Sequence, residues 1–160
     1  VLTSQPLSQV LDLDWDYQIC SIQPAISYDF LVGWTKEPAI SSDLIRQVKG
    51  AINEVFLKES QSAVKILEKG LREGNKKEIE TSIKRADKNL KSLNPLIYTP
   101  ALKELQEATE GLSVCAKSSG AGGGDCGIAL IFDPVETQTL IERWKEKNIE
   151  VIYQERMGDS

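Results

Sequence analysis

One segment has a composition that packing a core would not ask for: Lys117, Ser118, Ser119, Gly120, Ala121, Gly122, Gly123, Gly124, Asp125, Cys126 and Gly127 in succession. Four of the six residues from Ser119 to Gly124 are glycine, and each loses more backbone entropy on ordering than another residue would. Glycines let a backbone approach a ligand closely, and successive N–H groups in such a turn make a concave nest for an anion. The two hydroxyls and the lysine at its entrance add donors for phosphate or carboxylate oxygens. The competing reading is a plain hairpin loop, although short hairpins ordinarily need only one or two glycines. No Gly-Lys-Ser/Thr follows the glycines, and the segment joins two strand candidates rather than a strand to a helix. A Walker loop and a dinucleotide fingerprint are therefore both disfavoured. Lys117 can be read as reaching a phosphate or as merely flanking a strand, and its charge does not choose between these. Asp125 is read as structural, because a carboxylate beside phosphates repels them unless a metal intervenes.

Other chemistries are excluded by what is missing. The chain has no histidine, which removes Ser-His-Asp and Cys-His nucleophile systems and every His-containing metal site. Cys20, Cys115 and Cys126 are odd in number and lack CxxC spacing, so they read as reduced thiols rather than a disulfide framework or a zinc site. A net charge of -5 argues against a nucleic-acid footprint, which rests on phosphate neutralisation. At 160 residues and 41% hydrophobic the chain suffices for one ordinary core. Its longest apolar run, residues 128–132, is far too short to span a bilayer. No secretory signal pattern opens it, so a cytoplasmic location is expected. With Val1 first and Met157 the single methionine, the chain is expected to be a piece of something longer.

Elements that could position the glycine-rich segment follow from periodicity and punctuation. Leu7, Val10, Leu11 and Leu13 form a short helix-compatible pattern near the start. From residue 17 to 35 two extended runs are expected, broken at Pro24: Ile19, Cys20 and Ile22, then Ile26 through Trp34. Leu44, Val48, Ala51, Ile52, Val55 and Phe56 recur at helical spacing, with Asn53 and Glu54 on the polar face. Val64, Leu67 and Leu71 predict a second helix up to Gly74, and Ile79, Ile83, Ala86, Leu90 and Leu93 a third that Asn94-Pro95 stops. Residues 58–91 carry ten Lys+Arg against six Asp+Glu, a basic stretch read as a solvated helix face because opposite charges lie among the lysines. Thr99-Pro100 opens a helix through Leu102 and Leu105 to Gly111. Residues 112–118 and 125–132 are strand candidates joined by the glycines. Asp133, Pro134 and Glu136 read as a capping box that opens a helix burying Leu140, Ile141 and Trp144, and Ile149, Val151 and Tyr153 alternate as a closing strand. Two strand-helix-strand halves imply an α+β fold, a ferredoxin-like (α/β plait) antiparallel sheet with helices on one face and extra helices in the first crossover.

KSSGAGGGDCGIAL at residues 117–130 resembles the C-terminal glycine-rich motif of the GHMP kinases, in the form carried by their bacterial phosphomevalonate kinase branch. DFLVGWTKEPAISS at 29–42, IYTPALKEL at 97–105 and IYQERMG at 152–158 resemble that branch as well, so the likeness runs through the chain in order. The resemblance implies a two-domain enzyme that phosphorylates a small molecule with MgATP bound in a cleft. The family's nucleotide loop, of GLGSS type, and its catalytic aspartate lie in the N-terminal domain, and no GLGSS occurs here. Residues 17–160 are thus expected to be the C-terminal domain, and residues 1–16 a connecting helix or linker from an N-terminal domain that would be its partner.

The implied substrates are 5-phosphomevalonate and ATP. By motif position the acceptor is expected at Ser41, Ser119, Gly120 and Ala121, with Lys117 and Gly122 beside them. No catalytic residue or metal ligand is expected in this part, and the chain alone is expected to be inactive. Ser41 would sit at a helix N-terminus, where free N–H groups favour an anion. It can equally be read as a simple cap. Other members of the superfamily, such as mevalonate kinase, diphosphomevalonate decarboxylase or homoserine kinase, remain open at this point. So does a free-standing small-ligand module, since fold alone does not give function.

Overall fold

The computed structural model of the chain describes residues 19–38, 48, 50–120 and 123–158. Four strands, β1 (Tyr28–Trp34), β2 (Val114–Ser118), β3 (Cys126–Ile131) and β4 (Glu150–Met157), form one sheet in the order β2-β3-β1-β4, every neighbouring pair antiparallel. Between β1 and β2 run α1 (Glu54–Glu73), α2 (Lys76–Lys91), a 3-10 turn (Pro95–Ile97) and α3 (Pro100–Glu107), and α4 (Pro134–Glu146) joins β3 to β4. This is the expected ferredoxin-like α+β sheet with an expanded first crossover.

Alternate residues of the strands enter two different apolar clusters. Leu31, Ala129 and Ile131 pack with Leu105 of α3 and with Leu140 and Trp144 of α4. Tyr28, Cys115 and Leu130 pack instead with Ile79 and Ile83 of α2, flanked by Leu67 and Leu71 of α1. Helices therefore cover both faces of the sheet, where the sequence pattern led us to expect one. The physical reason lies in strands such as CGIALI, which are apolar on successive residues and need burial on both sides. Gly33 lies at a register shift between β1 and β4, and a Cβ there would come within 2.8 Å of the Trp144 ring. The bare backbone is what lets that indole lie on the sheet.

The expected helix through Leu44 and Phe56 is not continuous. Gly50 and Ala51 form a turn, and the Asn53 side chain accepts from Phe56 N at 3.0 Å to start α1 afresh at Glu54. Asparagine on a helix face competes for backbone donors and wins as a cap. Val64 is largely exposed, while Ala63 and Gly70 of the same helix are buried. Gly74, at φ +67°, ends α1, and Asn75 caps α2 at once through Glu78 N. Ile19, Cys20 and Ile22 precede the sheet without pairing into it. Residues 1–16 and 44–47 lie outside the described residues. Thr99 caps α3 as expected, accepting from Leu102 N at 3.3 Å. At α4, Asp133 accepts from Val135 N at 3.0 Å, but Glu136 does not complete the box: its carboxylate accepts from Ser113 N at 2.6 Å and fastens α4 to the start of β2. Leu140 and Trp144 are fully buried, and Ile141 only partly.

Candidate functional site

The loop from β2 to β3 is held by three neighbouring segments. Ser119 N donates to Cys126 O at 3.0 Å and closes the ladder. Farther along, Gly123 N donates to Ile97 O at 2.7 Å and Asp125 N to Glu37 O at 2.8 Å. The Asp125 carbonyl in turn accepts from Thr35 N at 2.7 Å and from Thr35 Oγ1 at 2.8 Å. The exit limb of the loop is thus fastened to the 3-10 turn and to the segment that leaves β1.

The structure separates the glycines by role. Gly123, Gly124 and Asp125 have φ of +85°, +120° and +67°, and a Cβ on Gly124 would stand 3.0 Å from Pro38 O. These two glycines are required by the architecture. Gly120 is exposed, and a Cβ there would meet nothing within 4 Å. Nothing among the described residues asks for glycine at that position.

The two serines also part company. Ser118 is buried and donates through Oγ to Gly120 O at 3.4 Å, while Ser119 is exposed. Lys117 folds its ammonium onto the Ser118 carbonyl. Burial lowers its pKa and the nearby Asp87 carboxylate opposes this. Of the residues singled out from sequence, Lys117, Ser119 and Gly120 therefore stand together at the entry limb. Ser41, Ala121 and Gly122 lie outside the described residues. Ser41 follows on from Pro38, whose carbonyl faces Gly124.

Cys115 and Cys126 are held toward the protonated thiol. Burial pushes the Cys115 pKa up to about 12, and burial followed by the adjacent Asp125 raises that of Cys126. Among the described residues no group of three His, Cys, Asp or Glu could hold a metal ion, and no helix is long and apolar enough to cross a membrane. The basic stretch on α1 and α2 is laced with ion pairs, including Lys69 to Glu78 at 2.7 Å and Arg85 to Glu59 at 2.7 Å. That suits a solvated helix face.

Sequence reasoning missed Thr35, Tyr98, Asp87 and Gln106. Thr35 locks the exit limb, and the other three meet at the β2 edge beside Ser118. A strand-terminal threonine and a tyrosine beside a helix cap give no spacing signal, because their partners lie far away in the chain.

The GHMP kinases C terminal family profile matches residues 67–150. Phosphomevalonate kinase from Streptomyces sp. (strain CL190) is 36% identical over an alignment of 110 residues that covers 62% of this chain and 29% of that protein. The crystal structure of the Streptococcus pneumoniae phosphomevalonate kinase superposes with a TM-score of 0.87 at 47% identity, over 98% of this chain and 48% of that one. The same enzyme solved with phosphomevalonate and AMPPNP gives a TM-score of 0.85 at 47% identity, over 98% and 47% of the two chains. A Lin0012 protein from Listeria innocua is 26% identical, with a TM-score of 0.79 over 97% of this chain and 46% of that one. The chain thus spans about half the length, or less, of the relatives it matches. With the glycine-rich loop joining β2 to β3 and the family profile laid across those two strands and α2, α3 and α4, the chain belongs to the GHMP kinase family as a C-terminal domain of that family.

Proposed function

We propose that this chain is the acceptor-binding half of a phosphomevalonate kinase, an enzyme that moves the ATP γ-phosphoryl group to 5-phosphomevalonate and yields 5-diphosphomevalonate and ADP. The observation that carries the reading is the 47% identity over 98% of the chain to an enzyme solved with phosphomevalonate and AMPPNP. In this reading residues 17–160 are the C-terminal domain, residues 1–16 lead in from an N-terminal domain, and that domain binds most of the ATP. Mg²⁺ would be held with the ATP, mainly by that domain. The working location is the cytoplasm.

The chain's own residues bind and orient. The backbone amides of Gly120 and Ala121, with the Ser119 hydroxyl, donate to the acceptor's phosphate oxygens, and Gly120 lets the phosphate approach the backbone. Ser41 adds a donor from the segment after β1. Lys117 and Gly122 flank this set. Phosphoryl transfer depends mostly on positioning and charge stabilisation, so a loop held on three sides is a suitable instrument. The isolated chain transfers no phosphoryl group, because the nucleotide loop and the base belong to the other half.

The test is turnover by the full-length protein with ATP and phosphomevalonate, set against mevalonate and homoserine, read as ADP release. Turnover with phosphomevalonate and not the others is expected, and preference for another acceptor overturns the reading. Gly120→Val should raise the acceptor KM in a folded variant, and an unchanged KM removes the loop from the site. Transfer by the isolated chain would refute the division of labour.

A further inference from the structure

Four polar side chains from three separate elements meet beside the outer edge of β2. Asp87 on α2 accepts from the Tyr98 hydroxyl and from Gln106 Nε2 (2.9 Å) at one oxygen, and from Lys91 Nζ (2.7 Å) at the other. Lys91 Nζ also donates to Gln106 Oε1 at 2.8 Å and stands 4.4 Å over the Tyr98 ring. Two backbone groups of the edge strand close onto this cluster. Gln106 Nε2 donates to Ala116 O at 2.9 Å, and Ser118 N donates to the Tyr98 oxygen at 3.1 Å.

Donor and acceptor counting gives the chain a direction. A backbone N–H only donates, so the Tyr98 oxygen accepts from Ser118 and its single proton goes to Asp87. Tyr98 is buried, and burial together with the Asp87 carboxylate holds its pKa above the ordinary tyrosine value. The hydroxyl therefore keeps that proton under working conditions. Ser118 is the last residue of β2, and its own Oγ donates into the loop at Gly120 O, 3.4 Å away. A sheet edge can be covered by a lysine or an apolar side chain. A carboxylate with only 14% of its side chain exposed is a costlier way to do the same, and it is stabilising only when well partnered. What it adds is a fixed position for the residue from which the loop springs.

We propose that Asp87 and Tyr98 are positioning residues for the acceptor site: through the Ser118 amide they hold the entry limb of the glycine-rich loop where the Ser119 hydroxyl and the Gly120 amide can meet an acceptor phosphate. This rests on the reading under Proposed function. With the exit limb fastened at Thr35, Glu37 and Ile97, both limbs of the loop are fixed.

The test uses the full-length enzyme and Tyr98→Phe, which removes one oxygen and leaves the ring. The KM for phosphomevalonate is expected to rise about tenfold, the scale of one lost hydrogen bond at a binding loop, with kcat within about twofold and the KM for ATP unchanged. Amide hydrogen exchange at residues 118–120 is expected to quicken about tenfold or more while β3 stays protected. A folded variant with wild-type acceptor KM and wild-type exchange overturns the proposal, as does one in which kcat falls and KM does not move. If Tyr98→Phe fails to fold, Asp87→Asn keeps the shape and one acceptor, and a smaller acceptor KM rise of the same sign is expected; an unchanged KM overturns the proposal. If the wild-type enzyme does not phosphorylate phosphomevalonate, the functional reading fails, and amide exchange in the variants still decides whether the tether exists.

Discussion

Substituting Gly124 by alanine tests whether the exit limb of the loop is locked by backbone contact. At φ +120° a residue with a Cβ is strained by about 1–3 kcal/mol. The new methyl would also stand 3.0 Å from Pro38 O, 3.3 Å from Glu37 O and 3.4 Å from the Pro38 carbonyl carbon, which adds about 1 kcal/mol of overpacking. The chain has one escape. It can lift the limb away from the segment after β1 and give up the bonds of Asp125 N to Glu37 O and of Thr35 N and Oγ1 to Asp125 O. At about 1 kcal/mol net each, that route costs about 3 kcal/mol, so the two exits are comparable and neither spares the protein much. A loss of about 3 kcal/mol should lower the melting temperature by roughly 6–12 °C for a chain of this size. Gly120→Ala is the control from the same loop: with nothing within 4 Å of its Cβ position, it should change stability by less than about 0.5 kcal/mol. Thermal unfolding of the two variants, with amide exchange at Thr35 and Asp125, separates the outcomes. Equal stability of both variants, with those two amides as protected as in the wild type, would refute the division of the glycines into architectural and functional ones.

Two further perturbations probe the frame around the site. Thr109 N donates to Gln106 O rather than to Leu105 O one residue further back, which leaves the Leu105 carbonyl to the Trp144 indole at 3.0 Å; Trp144→Phe should therefore cost at least about 2 kcal/mol by urea unfolding, from an unpaired buried carbonyl and a partly filled space, and a cost under about 0.5 kcal/mol would count against that bond. The paired Arg85 guanidinium holds the Glu59 pKa below the usual carboxylate range, so the pair's contribution is complete above that range and is lost as pH falls through the lowered value; an NMR titration should find the Glu59 midpoint depressed in the wild type and restored in Arg85→Met, and a midpoint unmoved by that substitution would break the assignment.

Punctuation was the most legible layer of this sequence. Thr99-Pro100, Gly74 and Asp133-Pro134 each start or stop an element where their chemistry says they should, because caps and left-handed turns are decided by one or two neighbouring residues. The antiparallel ferredoxin-like sheet followed from the succession of elements. Asn53 was misread for the opposite reason: its spacing fits a helix face, and only the turn at Gly50 and Ala51 shows that its side chain is needed as a cap. The second helix layer was also hidden. Periodicity reports which face of one strand is apolar, and strands that are apolar throughout do not say that two separate layers share them.

The glycine-rich segment shows where composition stops being informative. Counting glycines marks the loop as unusual, but the count treats Gly120 and Gly124 alike, and they are opposites. Gly124 is explained entirely by the carbonyls of Glu37 and Pro38 and by its own backbone angle, so it needs no ligand to account for it. Gly120 has neither constraint, and its neighbour Ser119 is exposed while Ser118 is turned inward to hold the loop. A residue that the fold leaves free but the sequence keeps bare is the stronger pointer to a bound anion, because the entropy cost of ordering it has no structural compensation. The same logic extends to the proposal for Asp87 and Tyr98: a partly buried carboxylate beside an edge that simpler side chains could cover finds its reason in what it would hold in place.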